Sequence, residues 1–397
     1  MTPVVPNTLR QMNATLVLNI IREQGPLSRA QIAKISGLTK ATVSEIINDL
    51  LREKIIFEGG VSEQTGQGRK GILINFDPHA RLGIGIDLGG TKITFSLFNL
   101  DAAILYEKRE ETYQTDDRHA FIDLLSNSIA SFIVESGIEY RRIGVIGLAT
   151  PGIIDISHGV VLEGSPNLPD WSSLPLAAEL TKRLSLPVIL ENDIRAALVG
   201  EMWCGKCRDS NSAALIGIGI GTGLGSALLM DGKIIRGTRN AAGEIGYMIF
   251  NRDQLYKNWR DKGCFESYCS GSGISDRLRE LTNQTLSLEK MMTHVREGDP
   301  LACALLDEMA DYLAMGIINL VAVANLQKVI LTGGVTHAAE YFLPRVQAIL
   351  DRQLFTNTHV TVELSELREK APLYGIAILA LSSIYPAIQF MPDAQIN

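Results

Sequence analysis

The sequence predicts an α/β protein, with an N-terminal winged helix-turn-helix followed by a larger body of two similar lobes. Three observations predict it. Residues 16–51 hold three short amphipathic segments, separated by a Gly-Pro pair and a Gly turn, and a basic Gly-rich loop follows. Two apolar strands, each running into a Gly turn and a return strand, begin at Leu82 and Leu215, about 130 residues apart. The charge is divided as well. The chain of 397 residues carries a net −7. Residues 1–78 hold nine Lys/Arg against seven Asp/Glu, a net +2, which leaves −9 for residues 79–397. A mildly basic head on an acidic body is the asymmetry of a DNA reader joined to a sensor or enzyme.

In the head, Leu16, Val17, Ile20 and Ile21 share one helix face, and Gly25-Pro26 ends that helix. Ser28 and Gln31 have capping-box spacing at the start of a second helix. Gly37 breaks it, with Leu38 under the turn, and Thr39 caps a third helix whose Val43, Ile46, Ile47, Leu50 and Leu51 keep the 3, 4, 7, 8 spacing. Thr39, Lys40, Thr42, Ser44, Glu45 and Asn48 lie on its outer face, polar side chains able to reach base edges plus one cation suited to phosphate. Ser28 and Arg29, opening the second helix, join them as expected DNA contacts. Two strand-like runs, Ile55–Glu58 and Ile72–Asn75, flank a Gly66–Gly71 loop, so Arg69 and Lys70 are expected at the tip of a wing. A helical bundle packing on a partner, with a solvated basic tip, is the competing reading.

Asp77-Pro78 marks the expected boundary, giving domains 1–78 and 79–397. The body opens at Leu82 on an apolar strand that ends on Asp87, then turns through Gly89, Gly90, Thr91 and Lys92 into Phe95–Phe98. This is a phosphate hairpin in chemical terms: glycines admit backbone amides to phosphate oxygens, Thr91 and Lys92 add donors, and Asp87 suits a hydrated Mg²⁺. The second unit turns through Gly221, Thr222 and Gly223, and Asp231-Gly232 makes a tight hairpin after it. A third Gly turn, Gly333-Gly334, follows the strand Ile330–Thr332. Any one of these fits a packed α/β turn; their order points to two lobes with a cleft between them. The run Gly217–Gly225 is not a dinucleotide fingerprint, because it enters a hairpin rather than a helix.

Between the cradles, Leu186–Leu190 reads as a strand ending in Glu191-Asn192-Asp193, with a helix after it. Asp193 suits a general base on a sugar hydroxyl, and Asn192 and Asn167 offer paired donors and acceptors. A simple N-cap at Asn192 or Asp193 is the alternative.

With 46% hydrophobic and 20% charged residues the chain is globular rather than disordered. No apolar run reaches the ~18 residues of a membrane span, and residues 1–10 lack a signal-peptide segment. Five Cys, an odd number, point away from a disulfide scaffold and toward a cytoplasmic protein.

These motifs together resemble the ROK family of repressors and sugar kinases, in its repressor branch, from about Arg10 to about Leu379. The resemblance implies a two-lobed actin-like, hexokinase-type (ribonuclease H-like) fold, with lobes of about 79–190 plus a C-terminal helix and 191–372. It also implies a homodimer or tetramer, operator DNA as partner and a sugar in the cleft. The family pattern Glu-x-Gly-His, then Cys-x-Cys-Gly-x-x-Gly-Cys-x-Glu, binds zinc through one His and three Cys and sugar through the two Glu. Here Tyr247 replaces the His, Lys257 and Trp259 replace two Cys, and Cys264 remains. No zinc is therefore expected, and no metal at Cys204/Cys207. Glu244, Glu266 and Tyr247 stand as expected sugar ligands beside Asn167, Asn192 and Asp193. The expected function is a sugar-responsive transcriptional regulator needing no cofactor. The alternative is an ATP- and Mg-dependent sugar kinase with an attached DNA-binding domain, in which Asp193 is the catalytic base and the Gly turns hold ATP.

Overall fold

A computed structural model describes residues 6–61, 71–164, 168–205, 214–260, 262–283, 288–355 and 358–384. Gly66–Lys70, Asn167 and Cys207 lie outside the described residues. Among the described residues, those up to Glu191 plus those from Ile376 form one compact unit, and those of Asn192–Gly375 form another.

The first unit opens with the head: α1 (Pro6–Gln24), β1 (Leu27–Ser28), α2 (Arg29–Ser36), α3 (Lys40–Arg52), β2 (Ile56–Val61) and β3 (Ile72–Phe76). Both halves of the capping box at Ser28 and Gln31 form, and Gly37 ends α2 in the left-handed region at φ 71°, where a Cβ is disfavoured. The buried stripe of α1 is Val17, Leu18, Ile20 and Ile21. Leu16, expected inside, is 42% exposed because that stripe centres one step further round the helix. Antiparallel pairing of β3 with both β1 and β2 gives the hairpin of a wing.

The rest of this unit is built on a five-stranded sheet. Its strands are β4 (Leu82–Leu88), β5 (Lys92–Phe98), β6 (Ile104–Glu111), β7 (Ile143–Thr150) and β10 (Val188–Asn192), in the order β10-β7-β4-β5-β6. Helices α4 (Arg118–Glu135) and α5 (Leu176–Leu184) and the small hairpin β8 (Ile153–Asp155) with β9 (Val160–Glu163) accompany it. Phe95, Phe121, Phe132 and Trp171 fill its core.

The second unit comprises α6 (Asp193–Cys204), β11 (Ala214–Ile220), β12 (Leu224–Met230), β13 (Lys233–Ile235), α7 (Cys264–Cys269), α8 (Gly271–Thr282), α9 (Leu288–Arg296), α10 (Pro300–Ala324), β14 (Lys328–Thr332), α11 (Ala339–Gln353) and β15 (Thr361–Leu364). Its sheet runs β13-β12-β11-β14-β15, so the two large sheets repeat one plan: three antiparallel strands, with the first of them flanked by a later parallel strand. The apolar helix α10 is the centre of this core, burying Leu313 and Ile317 with Phe265 and Phe342. A last helix, α12 (Ala371–Ile384), carries the chain back into the first unit. Among the described residues no helix is long and apolar enough to cross a membrane.

Candidate functional site

The head builds its outer face from capped helix ends. The Thr39 Oγ1 accepts the Thr42 N–H at 3.2 Å, which starts α3 and fixes both threonines. Thr39, Lys40 and Asn48 are exposed, and Thr42 and Ser44 are half-buried. Ser28 is not placed for DNA: it is buried, and its hydroxyl serves the capping box. Arg29 is half-buried and tied on both sides. Its guanidinium donates to Asn48 Oδ1 at 3.0 Å and to Glu58 Oε1 at 2.9 Å, joining the starts of α2 and β2 to the middle of α3. Arginine has only donors, so the Asn48 amide must present its oxygen to Arg29.

In the first unit the Gly89–Lys92 turn is narrow. The Gly89 N–H donates to the Lys92 carbonyl at 2.9 Å, and the Thr112 hydroxyl donates to the Gly89 carbonyl at 2.7 Å. Gly90 and Thr91 form the tip of this β4–β5 hairpin, and Asp87 lies near the end of β4.

In the second unit the ends of β11, β12 and β14 gather most of the remaining candidates. Parallel pairing of Gly219 with Thr332 brings the Gly221–Gly223 turn beside Gly333-Gly334. The carbonyls of Gly221 and Thr222 accept the first two N–H groups of α8, from Gly271 at 2.8 Å and Ser272 at 3.3 Å. The start of α6 packs on the same hairpin: a Cβ on Gly219 would stand 2.2 Å from Ile194 Cδ1. Asn192 caps α6, its Oδ1 accepting the Ile194 and Arg195 N–H groups at 3.1 Å each. Half-buried Asp193 is the first residue of that helix, and burial pushes its carboxyl above the usual carboxylate range against the pull of the Ile194 N–H.

Glu266, half-buried on α7, accepts the Leu224 N–H at 2.9 Å and so hangs on the start of β12. Glu244 is exposed and precedes a short turn through Tyr247, itself 49% exposed. Gly263 is required beside that turn, because a Cβ there would stand 2.2 Å from the Gly246 carbonyl oxygen. Arg195 and Gln254 are two residues that motif spacing did not single out. Buried Arg195 donates to the carbonyls of Asn240 at 2.6 Å and Ala242 at 2.9 Å, bracing the approach to Glu244. A cation in the first turn of a helix, where the helix dipole disfavours it, was the available signal; Gln254 offered none.

The zinc that the family pattern implies does not fit. The corresponding residues are Tyr247, Lys257, Trp259 and Cys264. An ammonium and an indole are not zinc ligands, and a structural zinc needs about four N or S donors. Burial pushes the Cys264 thiol up, although Lys257 nearby pulls the other way. Among the described residues no three His, Cys, Asp or Glu side chains gather as a ligand set.

Residues 83–383 match the ROK family, and residues 15–56 match a winged helix-turn-helix DNA-binding family. The xylose repressor of Caldicellulosiruptor bescii is 27% identical over 391 residues, covering 95% of this chain and 97% of its own length. The DNA-binding transcriptional dual regulator NagC of Escherichia coli K12 is 26% identical, covering 94% of this chain and 93% of its own. A ROK family transcriptional regulator, homologous to the Escherichia coli MLC protein, has the same fold at a TM-score of 0.81, 24% identity and coverage of 96% and 98%. A ROK glucokinase of Streptomyces griseus, solved with glucose and AMPPNP, matches at 0.64 and 27% identity over 75% of this chain and 99% of its own.

Proposed function

The chain belongs to the ROK family and is a DNA-binding transcriptional regulator; from that premise we propose that it is a cytoplasmic repressor released from its operator by a small sugar. The observation that carries this reading is the joining, in one chain, of a capped helix-turn-helix with a sugar-kinase-type body. Xylose and N-acetylglucosamine regulators match it along almost their whole length.

Lys40 on α3 and Arg69 and Lys70 in the wing region meet phosphates, while Thr39, Thr42, Ser44 and Asn48 approach base edges. The residues suited to sugar hydroxyls are Asn167, Asn192, Asp193, Glu244, Tyr247 and Glu266. A carboxylate accepts from hydroxyls and an amide does both, so this set suits a polyol ring rather than an anion. Regulation needs no cofactor and no zinc. The protein acts as a homodimer or tetramer, whose two heads read half-sites about one DNA turn apart in a pseudo-palindrome.

A second activity, phosphorylation of the bound sugar, is favoured by the place of Asp193, first in the helix that packs on the β11–β12 hairpin, where burial raises its carboxyl toward a working base. ATP with Mg²⁺ would supply the phosphoryl group. Asp87 and Gly89–Lys92 are the residues of the first unit suited to it, and Gly221–Gly223 with Gly333-Gly334 those of the second.

A gel shift on DNA selected from the protein's own upstream region, run with a panel of pentoses and hexoses, tests the regulator. Release by one sugar is the expected result; a shift insensitive to every sugar contradicts it. ADP formation in the same panel, lost in Asp193→Asn, tests the kinase activity.

A further inference from the structure

The segment that precedes α7 is held by one buried side chain. Gln254 is 3% exposed, and both ends of its side-chain amide and both of its backbone polar groups are hydrogen-bonded. Its Oε1 accepts the N–H groups of Phe250 at 2.8 Å and Asn251 at 3.1 Å. Its Nε2 donates to the Tyr312 hydroxyl on α10 at 3.2 Å. Its own N–H donates to Asn251 Oδ1 at 3.0 Å, and its carbonyl accepts the Trp259 indole N–H at 2.7 Å. The Lys257 ammonium lies 5.8 Å from the centre of the Trp259 ring. Lys257 and Trp259 stand where the family pattern has two zinc ligands, so the replaced positions belong to this clasp.

The clasp holds α7 from two sides. The Phe250 ring, fixed through its backbone, meets Phe265 edge-on at 4.9 Å. The Tyr312 ring, fixed through its hydroxyl, stacks on Tyr268 at 3.8 Å. Phe265 and Tyr268 flank Glu266 in the same helix. We propose that Gln254 is the positioning residue that aligns α7, and with it Glu266, through hydrogen bonds in place of a metal. The consequence for the effector rests on the reading of Glu266 as a sugar ligand; the clasp does not.

Buried amides leave unsatisfied partners when removed, so the effect on α7 is large and local. Chemistry predicts a specific rescue. In Gln254→Glu burial holds the carboxyl neutral, so its carbonyl oxygen still accepts both N–H groups and its O–H donates to the Tyr312 oxygen as the amide did. Gln254→Met fills the space and makes none of these bonds.

The experiment uses the full chain, expressed with added zinc. Elemental analysis is expected to find substoichiometric zinc, and a chelator to leave hydrogen exchange of Cys264–Cys269 unchanged. Gln254→Met is expected to speed exchange there about tenfold or more, with β11 and β12 unaffected, and Gln254→Glu to restore it. Tyr312→Phe, which removes only the hydroxyl, is expected to give a smaller change in the same direction and keeps the test readable if Gln254→Met does not fold. With xylose, glucose and N-acetylglucosamine as probes, Gln254→Met needs a higher concentration than wild type to give the same melting shift. Stoichiometric zinc with chelator-sensitive exchange overturns the proposal. So does wild-type exchange in Gln254→Met or Tyr312→Phe, or failure of Gln254→Glu to restore protection. If no probe shifts the wild type, the sugar reading falls and the exchange data alone judge the clasp.

Discussion

The helix caps of the head and the contacts that Glu266, Arg195 and Glu201 make in the second unit fix polar residues over very different distances. In the head, Ser28 pairs with Gln31 and Thr39 with Thr42, each three residues apart. In the second unit, Glu266 holds an amide 42 residues away, Arg195 a carbonyl 45 away, and Glu201 the N–H of Leu367, 166 away. Local pairs survive as long as their own helix does. Long-range pairs exist only when the whole unit is folded, so the geometry of the second unit is set by tertiary packing and can respond as a whole to a ligand.

The comparison can be broken most strongly at Glu266. Glu266→Ala removes the acceptor of the Leu224 N–H together with the proposed sugar contact. The expected loss of sugar affinity in calorimetry is about 100-fold, with operator affinity of the unliganded protein unchanged. Equal sugar affinity would detach Glu266 from the site.

The head offers a sharper discrimination. Arg29 is occupied by Asn48 and Glu58, so Arg29→Met is expected to weaken operator binding about tenfold while leaving its salt dependence unaltered. Lys40→Ala is expected to lower the salt slope by about 1. The two slopes, measured by fluorescence anisotropy from low to high salt, separate a brace from a phosphate contact. A slope reduced in Arg29→Met would place that guanidinium on DNA instead.

A local cap gives a smaller effect. Thr39→Ala is expected to cost the head about 1 kcal/mol, read as a few-fold loss of operator affinity with the sugar-induced melting shift preserved. Loss of that shift would mean the two regions are not separable in this way.

The smallest effect concerns Asp193. Its folded pKa is raised, so at neutral pH ionisation favours the unfolded chain, and below the unfolded carboxylate pKa of ~3.9 this cost is absent. Asp193→Asn is therefore expected to melt a few degrees higher at neutral pH, the gain fading as the pH falls toward the unfolded value. A gain that persists at low pH would point to packing rather than charge.

Much of the fold was legible because its signals are short. Capping boxes, the Gly37 turn and the two strand–Gly–strand units each span a few residues. The pairing of Ser28 with Gln31 also explains why Ser28, read as a DNA contact, is buried instead. Leu16 was misplaced because helix periodicity fixes a spacing but leaves the phase of the buried stripe to packing. In the body, the family pattern led to Glu266, yet nothing near it in sequence indicates that it leans on Leu224. Gln254 was silent for the same reason: a glutamine in a polar loop carries no sign that Phe250, Trp259 and Tyr312 will close around it.

The central claim is that one chain couples a sugar to an operator, and linkage gives its most direct measurement. The dissociation constant of the releasing sugar is measured with and without saturating operator, and that of the operator with and without saturating sugar. Each ligand is expected to weaken binding of the other by the same factor, at least tenfold. Two ligands that bind independently, with unchanged constants, would contradict it.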